Sequence, residues 1–192
     1  MRILPSLVFL IIGSSCGVFT THGASLDGEL STKPSPHDKD LVPLLQGYSL
    51  LQDLTNEEVK VDDILIIRDL SPQVGTLLKG ISAEAQSLKE DLDLFRKSDP
   101  TFRPSSSGLP ELEQATRAGI KKMISGRIIY GKEPDVEVDI LLSQIQGLDY
   151  GENLLQTIAQ RDLSTERRDT LLQHASKWKI LRQWAFSLLV KK

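Results

Sequence analysis

The sequence predicts an all-α domain: an antiparallel bundle of four long helices, in as many as five or six pieces. Three observations carry that expectation. Between Ser71 and Lys97 apolar residues recur every seven positions on two interleaved lines, Val74, Ile81, Leu88 and Phe95 on one and Leu78, Ala85 and Leu92 on the other. No stretch alternates apolar and polar residues over six or more positions, as a half-buried strand would. The gaps between the apolar stretches collect Pro, Gly and Ser, which interrupt helices.

The chain opens on a different pattern. Arg2 is followed by an apolar run, Ile3 to Ile12, broken by Pro5 and Ser6, and then by Gly13-Ser14-Ser15-Cys16. A basic start, a short apolar run and small residues describe an export signal over residues 1–24. The run is about ten residues, short of the roughly 20 that span a bilayer core. Pro5 and the Gly-Ser-Ser-Cys-Gly sequence oppose a buried N-terminal helix instead. Two cleavage points compete. Ser14-Ser15-Cys16 resembles the end of a bacterial lipoprotein signal, which implies cleavage after residue 15 and lipidation of Cys16; Gly13 departs from the aliphatic residue usual there. Cleavage near residues 23–24, after Thr21-His22-Gly23-Ala24, would release an ordinary exported protein. Cys16 is the only cysteine, so no intramolecular disulfide is available and the domain must hold by packing.

Residues 25–40 are polar and scattered with Gly, Ser and Pro, with no apolar period, and read as a disordered tether. A single domain is expected over residues 41–192. Its first helix starts at Leu41 and presents Leu44, Leu45, Tyr48, Leu51 and Leu54. Thr55-Asn56-Glu57-Glu58 has the form of a capping box opening a second piece that carries Ile64, Leu65, Ile67 and Leu70; Val61 to Ile67 also reads as a short strand. Ser71-Pro72 is an N-cap with proline at the first helical position, and the heptad helix follows, with Lys79, Glu84, Lys89, Glu90 and Lys97 outward. Asp99-Pro100 and the run Arg103 to Gly108 make a loop. After Leu109-Pro110-Glu111 a helix is expected with Leu112, Ala115, Gly119 or Ile120, and Met123 on its inner face, ending near Tyr130-Gly131. Glu133-Pro134-Asp135 opens the next, faced by Leu141, Ile145, Leu148, Leu155 and Ile158, with acids in its first turn where the helix dipole favours them. Ser164 caps the last helix, with Leu171, Ala175, Trp178, Ala185 and Leu188 inward. The glycines at 80, 119, 147 and 151 are expected to be tolerated inside helices rather than required there.

Chemistry is mostly excluded by what the helices lack. A di-metal carboxylate bundle needs Glu-x-x-His on two helices. The three histidines are His22, His37 and His174, and the residue three before His174 is Leu171. Paired histidines for haem, Walker and G-x-G-x-x-G loops, a G-x-S-x-G nucleophile and a Ca²⁺ loop are all missing. His174 reads as a boundary residue on the last helix with no partner legible in the sequence. The acid groups Glu57-Glu58, Asp62-Asp63, Glu90-Asp91-Asp93 and Asp135-Glu137-Asp139 read as solvated faces. No catalytic residue, cofactor or metal ligand is therefore expected.

Charge is uneven. Residues 16–169 hold 17 basic and 26 acidic side chains, a balance of −9, whereas residues 170–192 hold Lys177, Lys179, Arg182, Lys191 and Lys192 and no acid. The acidic body excludes nucleic acid as a partner class. The tail from Trp178 to Lys192 is apolar on nearly every side and carries both tryptophans. It reads either as a core helix or as a surface helix contacting a protein partner or a membrane interface, with Lys179, Arg182, Trp184 and Phe186 as the contact candidates. The sequence thus points to a non-enzymatic, exported helical-bundle protein of a bacterial envelope that binds or scaffolds an unknown protein partner, with membrane association through lipidated Cys16 or the C-terminal helix. The alternatives are a small envelope enzyme or accessory subunit with a dispersed site, and membrane-surface binding by the last helix.

Overall fold

The structure, a computed structural model, describes residues 36–99, 102, 109–132 and 135–192, with the backbone alone for 36–40. Cys16, the expected export signal and most of the expected tether lie outside these residues. The described residues are all helical, without a strand: α1 (Pro36–Glu58), a 3-10 segment (Val61–Ile66), α2 (Pro72–Ser98), α3 (Glu111–Tyr130), α4 (Asp135–Arg161) and α5 (Thr165–Leu189). Helix α1 thus begins inside the segment expected to be a tether.

The heptad reading of α2 holds at every position: Val74, Leu78, Ile81, Ala85, Leu88, Leu92 and Phe95 are all buried, joined by Leu77. Its 27 residues make a rod of about 40 Å. The faces expected of α4 and α5 also turn inward, with Ile145 and Leu188 partly covered. Helices α4 and α5 share the most extensive contact in the molecule; α2 then packs on α5 and on α1. Ser164 caps α5 as expected, its hydroxyl accepting the Arg167 N–H at 3.3 Å.

Four local expectations are corrected. Thr55 does not start a new helix. It is buried within α1, and its hydroxyl donates to the Leu51 carbonyl at 2.7 Å, which satisfies the group that would otherwise have capped. Val61 to Ile66 forms a 3-10 turn rather than a strand, burying Val61 and Ile64. Ser71 is the residue before α2, yet its hydroxyl makes no capping bond and donates instead to Glu137 on α4 at 3.1 Å.

The fourth correction is the face of α3. Ile124 and Ile128 are buried and Ile120 packs on the core, while Leu112 is 83 % exposed and Met123 is also exposed. Two apolar stripes compete on this helix. The stripe of three isoleucines offers more area to bury than one interrupted by Ala115 and Gly119. Polar ties favour the same rotation: Lys121 reaches Glu57 on α1 at 3.4 Å, and Arg127 reaches Asp139 on α4 at 3.5 Å. Arg68 seals the end of α3 by donating to the carbonyls of Ile128 at 2.9 Å, Ile129 at 2.5 Å and Gly131 at 3.0 Å, groups that a helix terminus leaves without partners.

Candidate functional site

Charged side chains that the sequence leaves on solvated faces tie helices together in the structure. His174 is buried on α5, with Nδ1 2.5 Å from Glu84 Oε1 and Nε2 2.8 Å from Asp91 Oδ2, both on α2. Carboxylate oxygens only accept, so both bonds form together only when the ring carries two protons. Burial disfavours that charge, but the bonds to Glu84 and Asp91 outweigh it and raise the imidazole above its ordinary value. Lys177 adds a third tie to Glu84 at 3.1 Å. His174 therefore has two partners where the sequence offers none. Glu84 and Asp91 are drawn inward from the expected outer face because α2 and α5 run side by side there.

A second cluster sits at the α4–α5 turn. Asp162 has a fully buried side chain. Arg167 donates to its two oxygens at 2.8 and 2.9 Å, the Tyr48 hydroxyl at 2.5 Å and the Ser164 N–H at 2.8 Å. Burial pushes this carboxyl up, but the bonds from Arg167, Tyr48 and Ser164 outweigh it and hold it below its usual range. The Tyr48 hydroxyl is pushed far up, by burial first and then by Asp162. Arg167 also lies over the Phe102 ring, 5.2 Å from its centre, and Tyr48 meets Phe102 edge-on at 4.5 Å. A third tie joins three chain segments. The backbone and hydroxyl of Ser71 and the ammonium of Lys192 all donate to Glu137, so the acid expected on a solvated face is buried between the starts of α2 and α4 and the end of the chain.

Glu58 is different. It is buried at the end of α1 against α4, and burial with Glu57 beside it pushes its carboxyl up to about 8. One Glu58 oxygen and both amide atoms of Gln144 are buried without a hydrogen-bond partner. Gly147 makes room for the carboxyl, because a Cβ there would stand 3.0 Å from Glu58 Oε1. One helical turn on, Gly151 is required by packing: a Cβ at that position would overlap the buried Trp178 ring. Tolerance, the expectation for both glycines, is overturned at Gly151; at Gly119, with nothing within 4 Å, it stands.

The four contact candidates of the tail separate. Phe186 is 57 % exposed and Lys179 is exposed, whereas Trp184 packs partly buried beside Gly80 and Arg182 is held by Glu152 at 3.0 Å and Asp149 at 3.4 Å. The outer face of α5 also carries Ile180, 63 % exposed, and Val190, 70 % exposed, neither singled out by the sequence. Periodicity could have found Val190, since 172, 179 and 186 share one line along the helix and 183 and 190 the next; Ile180 lies off both.

A cavity of about 740 Å³ opens between the end of α2 and the start of α5, lined by Asp91, Phe95, Asp99, Glu166, Arg167 and Thr170 among others. Its Asp91 and Arg167 are already engaged by His174 and Asp162. Among the described residues no group of three or more His, Cys, Asp or Glu side chains is placed to hold a metal ion, and no helix is long and apolar enough to cross a membrane. No protein-family model matches the chain, and neither a curated protein nor a solved structure is similar to it.

Proposed function

We propose that this chain is a non-enzymatic, exported module of a bacterial envelope, a candidate lipoprotein through Cys16, whose helices form an antiparallel bundle that binds or scaffolds a partner. The observation that carries this reading is the outer face of α5 and its C-cap: Ile180, Phe186 and Val190 stand exposed within residues 170–192, which hold five basic side chains and no acid. A contiguous apolar surface with fixed charge is the usual mark of a contact site. The buried charged groups described above support the same reading from the other side. Those around His174, Asp162 and Glu137 are engaged between helices, which is a structural use of charge.

The rival, a small envelope enzyme or accessory subunit, draws on the cavity beside Arg167, whose wall includes Asp91. A general base needs a free site and a reachable proton, and the pairing of Asp91 with His174 and of Arg167 with Asp162 favours the binding module.

Export is tested by intact mass of the protein isolated from its own cells. A start at Cys16 carrying a diacylglyceryl group, or a start near Ala24, is the expected result, the first giving a lipoprotein and the second a soluble exported form. A chain retaining residues 1–15 in the cytoplasm would overturn the reading. Photo-crosslinkers at Phe186 and Val190 are expected to capture a specific envelope component, whereas one at Met123 on α3 is not.

A further inference from the structure

Most positive charges on α5 are engaged within the molecule: Lys177 on Glu84, Arg182 on Asp149 and Glu152, and Lys192 on Glu137. Among the described residues Lys179 and Lys191 have no ion-pair partner, and both are exposed. Lys179 lies on the line of Leu172, Gln183, Phe186 and Val190, and Ile180 and Lys191 stand roughly a quarter turn round the helix from it. From Leu172 to Val190 this line runs about 27 Å along the helix. The opposite side of α5, with Leu171, Ala175, Trp178 and Ala185, is buried in the core. The inner face of α5 is thus accounted for by the fold, and the outer face combines exposed Leu172, Ile180, Phe186 and Val190 with Lys179 and Lys191 and with polar Gln183.

We infer that the outer face of α5 docks on an anionic lipid surface. A bilayer interface offers apolar depth for Ile180, Phe186 and Val190 and, at the same level, negative headgroups for Lys179 and Lys191. A second copy of this chain fits less well. An isologous contact along this line would bring Lys179 of each copy into the same apolar seam, and like charges there oppose pairing. The inference rests on the reading of α5 as the contact element. It adds the class of partner and a geometry in which the helix lies flat along its whole outer line. With a lipid chain on Cys16 it would supply the second of the two signals that stable membrane attachment requires.

The test is co-sedimentation of the purified chain with vesicles of phosphatidylcholine alone and with vesicles that also contain phosphatidylglycerol. Binding is expected to the anionic vesicles, and it should weaken as salt rises. Two double variants, Ile180→Ser with Phe186→Ser and Lys179→Glu with Lys191→Glu, should each reduce it roughly tenfold or more. All four side chains point outward, so the helical circular dichroism and melting temperature of both variants should match the parent. Met123→Ser, at an exposed apolar position on α3, should leave binding unchanged. Equal binding to both vesicle types, or anionic binding that neither double variant alters, would overturn the inference. Absence of vesicle binding, with Phe186 crosslinking to an acidic protein, would remove the lipid as occupant and leave α5 as the contact element. Absence of vesicle binding and of crosslinking would remove both.

Discussion

At Gly151 the absence of a side chain decides how α4 and α5 meet. The indole of Trp178, wholly buried, occupies the space that a Cβ would take, so the close approach of the two helices depends on one missing carbon. Glycine inside a helix costs about 1 kcal/mol against alanine, and here the packing of the largest buried side chain offsets it. Gly151→Ala is expected to destabilise the domain by about 1–3 kcal/mol through overpacking. Gly119→Ala, in open space, should stabilise it by up to about 1 kcal/mol. Urea denaturation of the two variants checks both, and equal effects of the same sign would remove the packing explanation. The sequence shows Gly80, Gly119, Gly147 and Gly151 within helical periods without distinguishing them. Their difference arises from what stands opposite, and residue spacing along one helix carries no information about the neighbouring helix.

At the scale of elements, polar ties gather at helix ends around Asp162, Glu137 and Arg68, while His174 and Arg182 tie α5 to the interiors of α2 and α4. Asp162 shows the logic at the α4–α5 turn. It sits where the last turn of α4 hands over to the cap of α5, and it receives Arg167, Tyr48 and the Ser164 N–H together. Asp162→Asn leaves the Arg167 charge partly buried and without its main partner. It should cost about 3 kcal/mol or more, a fall in melting temperature of roughly 10 °C for a domain of this size. Tyr48→Phe removes one hydrogen bond and should cost about 1 kcal/mol. Calorimetry that finds the two variants equally mild would show that the cluster is not a structural tie. The seam of α2 was legible because Val74 to Phe95 repeat without exception. The face of α3 was legible only at Ile120, because Leu112 and Met123 on one side and Ile124 and Ile128 on the other both extend a helical period. The choice between them is made by Glu57, Asp139 and Arg68, which belong to other segments.

At the scale of the whole molecule the titrating groups give stability a definite pH profile. His174 is raised above its ordinary value, so its contribution is complete below about pH 6.5 and is lost as pH rises through the folded value. Glu58 is an acid raised to about 8. The folded state binds more protons than the unfolded state between its ordinary value and 8, and stability falls as pH rises across that window. Asp162 and Glu137 are lowered, so their contributions are present above the ordinary carboxylate values and lost as pH falls through the lowered ones. The domain should be most stable at about pH 4.5, where Asp162 and Glu137 are ionised while Glu58 and His174 keep their protons, and should lose melting temperature steadily toward about pH 8. Glu58→Gln keeps the shape of the neutral acid and should flatten the alkaline slope. Glu84→Gln with Asp91→Asn, added to it, should remove most of what remains. A profile as steep in Glu58→Gln as in the parent would exclude Glu58 as its source.

The sequence by itself determined the helical class, the seam of α2, the inner faces of α4 and α5 and the cap at Ser164, because each depends on residues within one helical turn or one repeat of one another. The tertiary structure alone decided that His174 has two carboxylate partners, that Glu58 and Glu137 are buried, that Gly151 is required, and that α5 is core on one side and bare on the other. Those properties join residues far apart in the chain, and the stretch from Trp178 to Val190, apolar on nearly every side, contains no mark of which side its neighbours cover. Trp184 and Arg182 turn to those neighbours, and Lys179 and Phe186 turn outward.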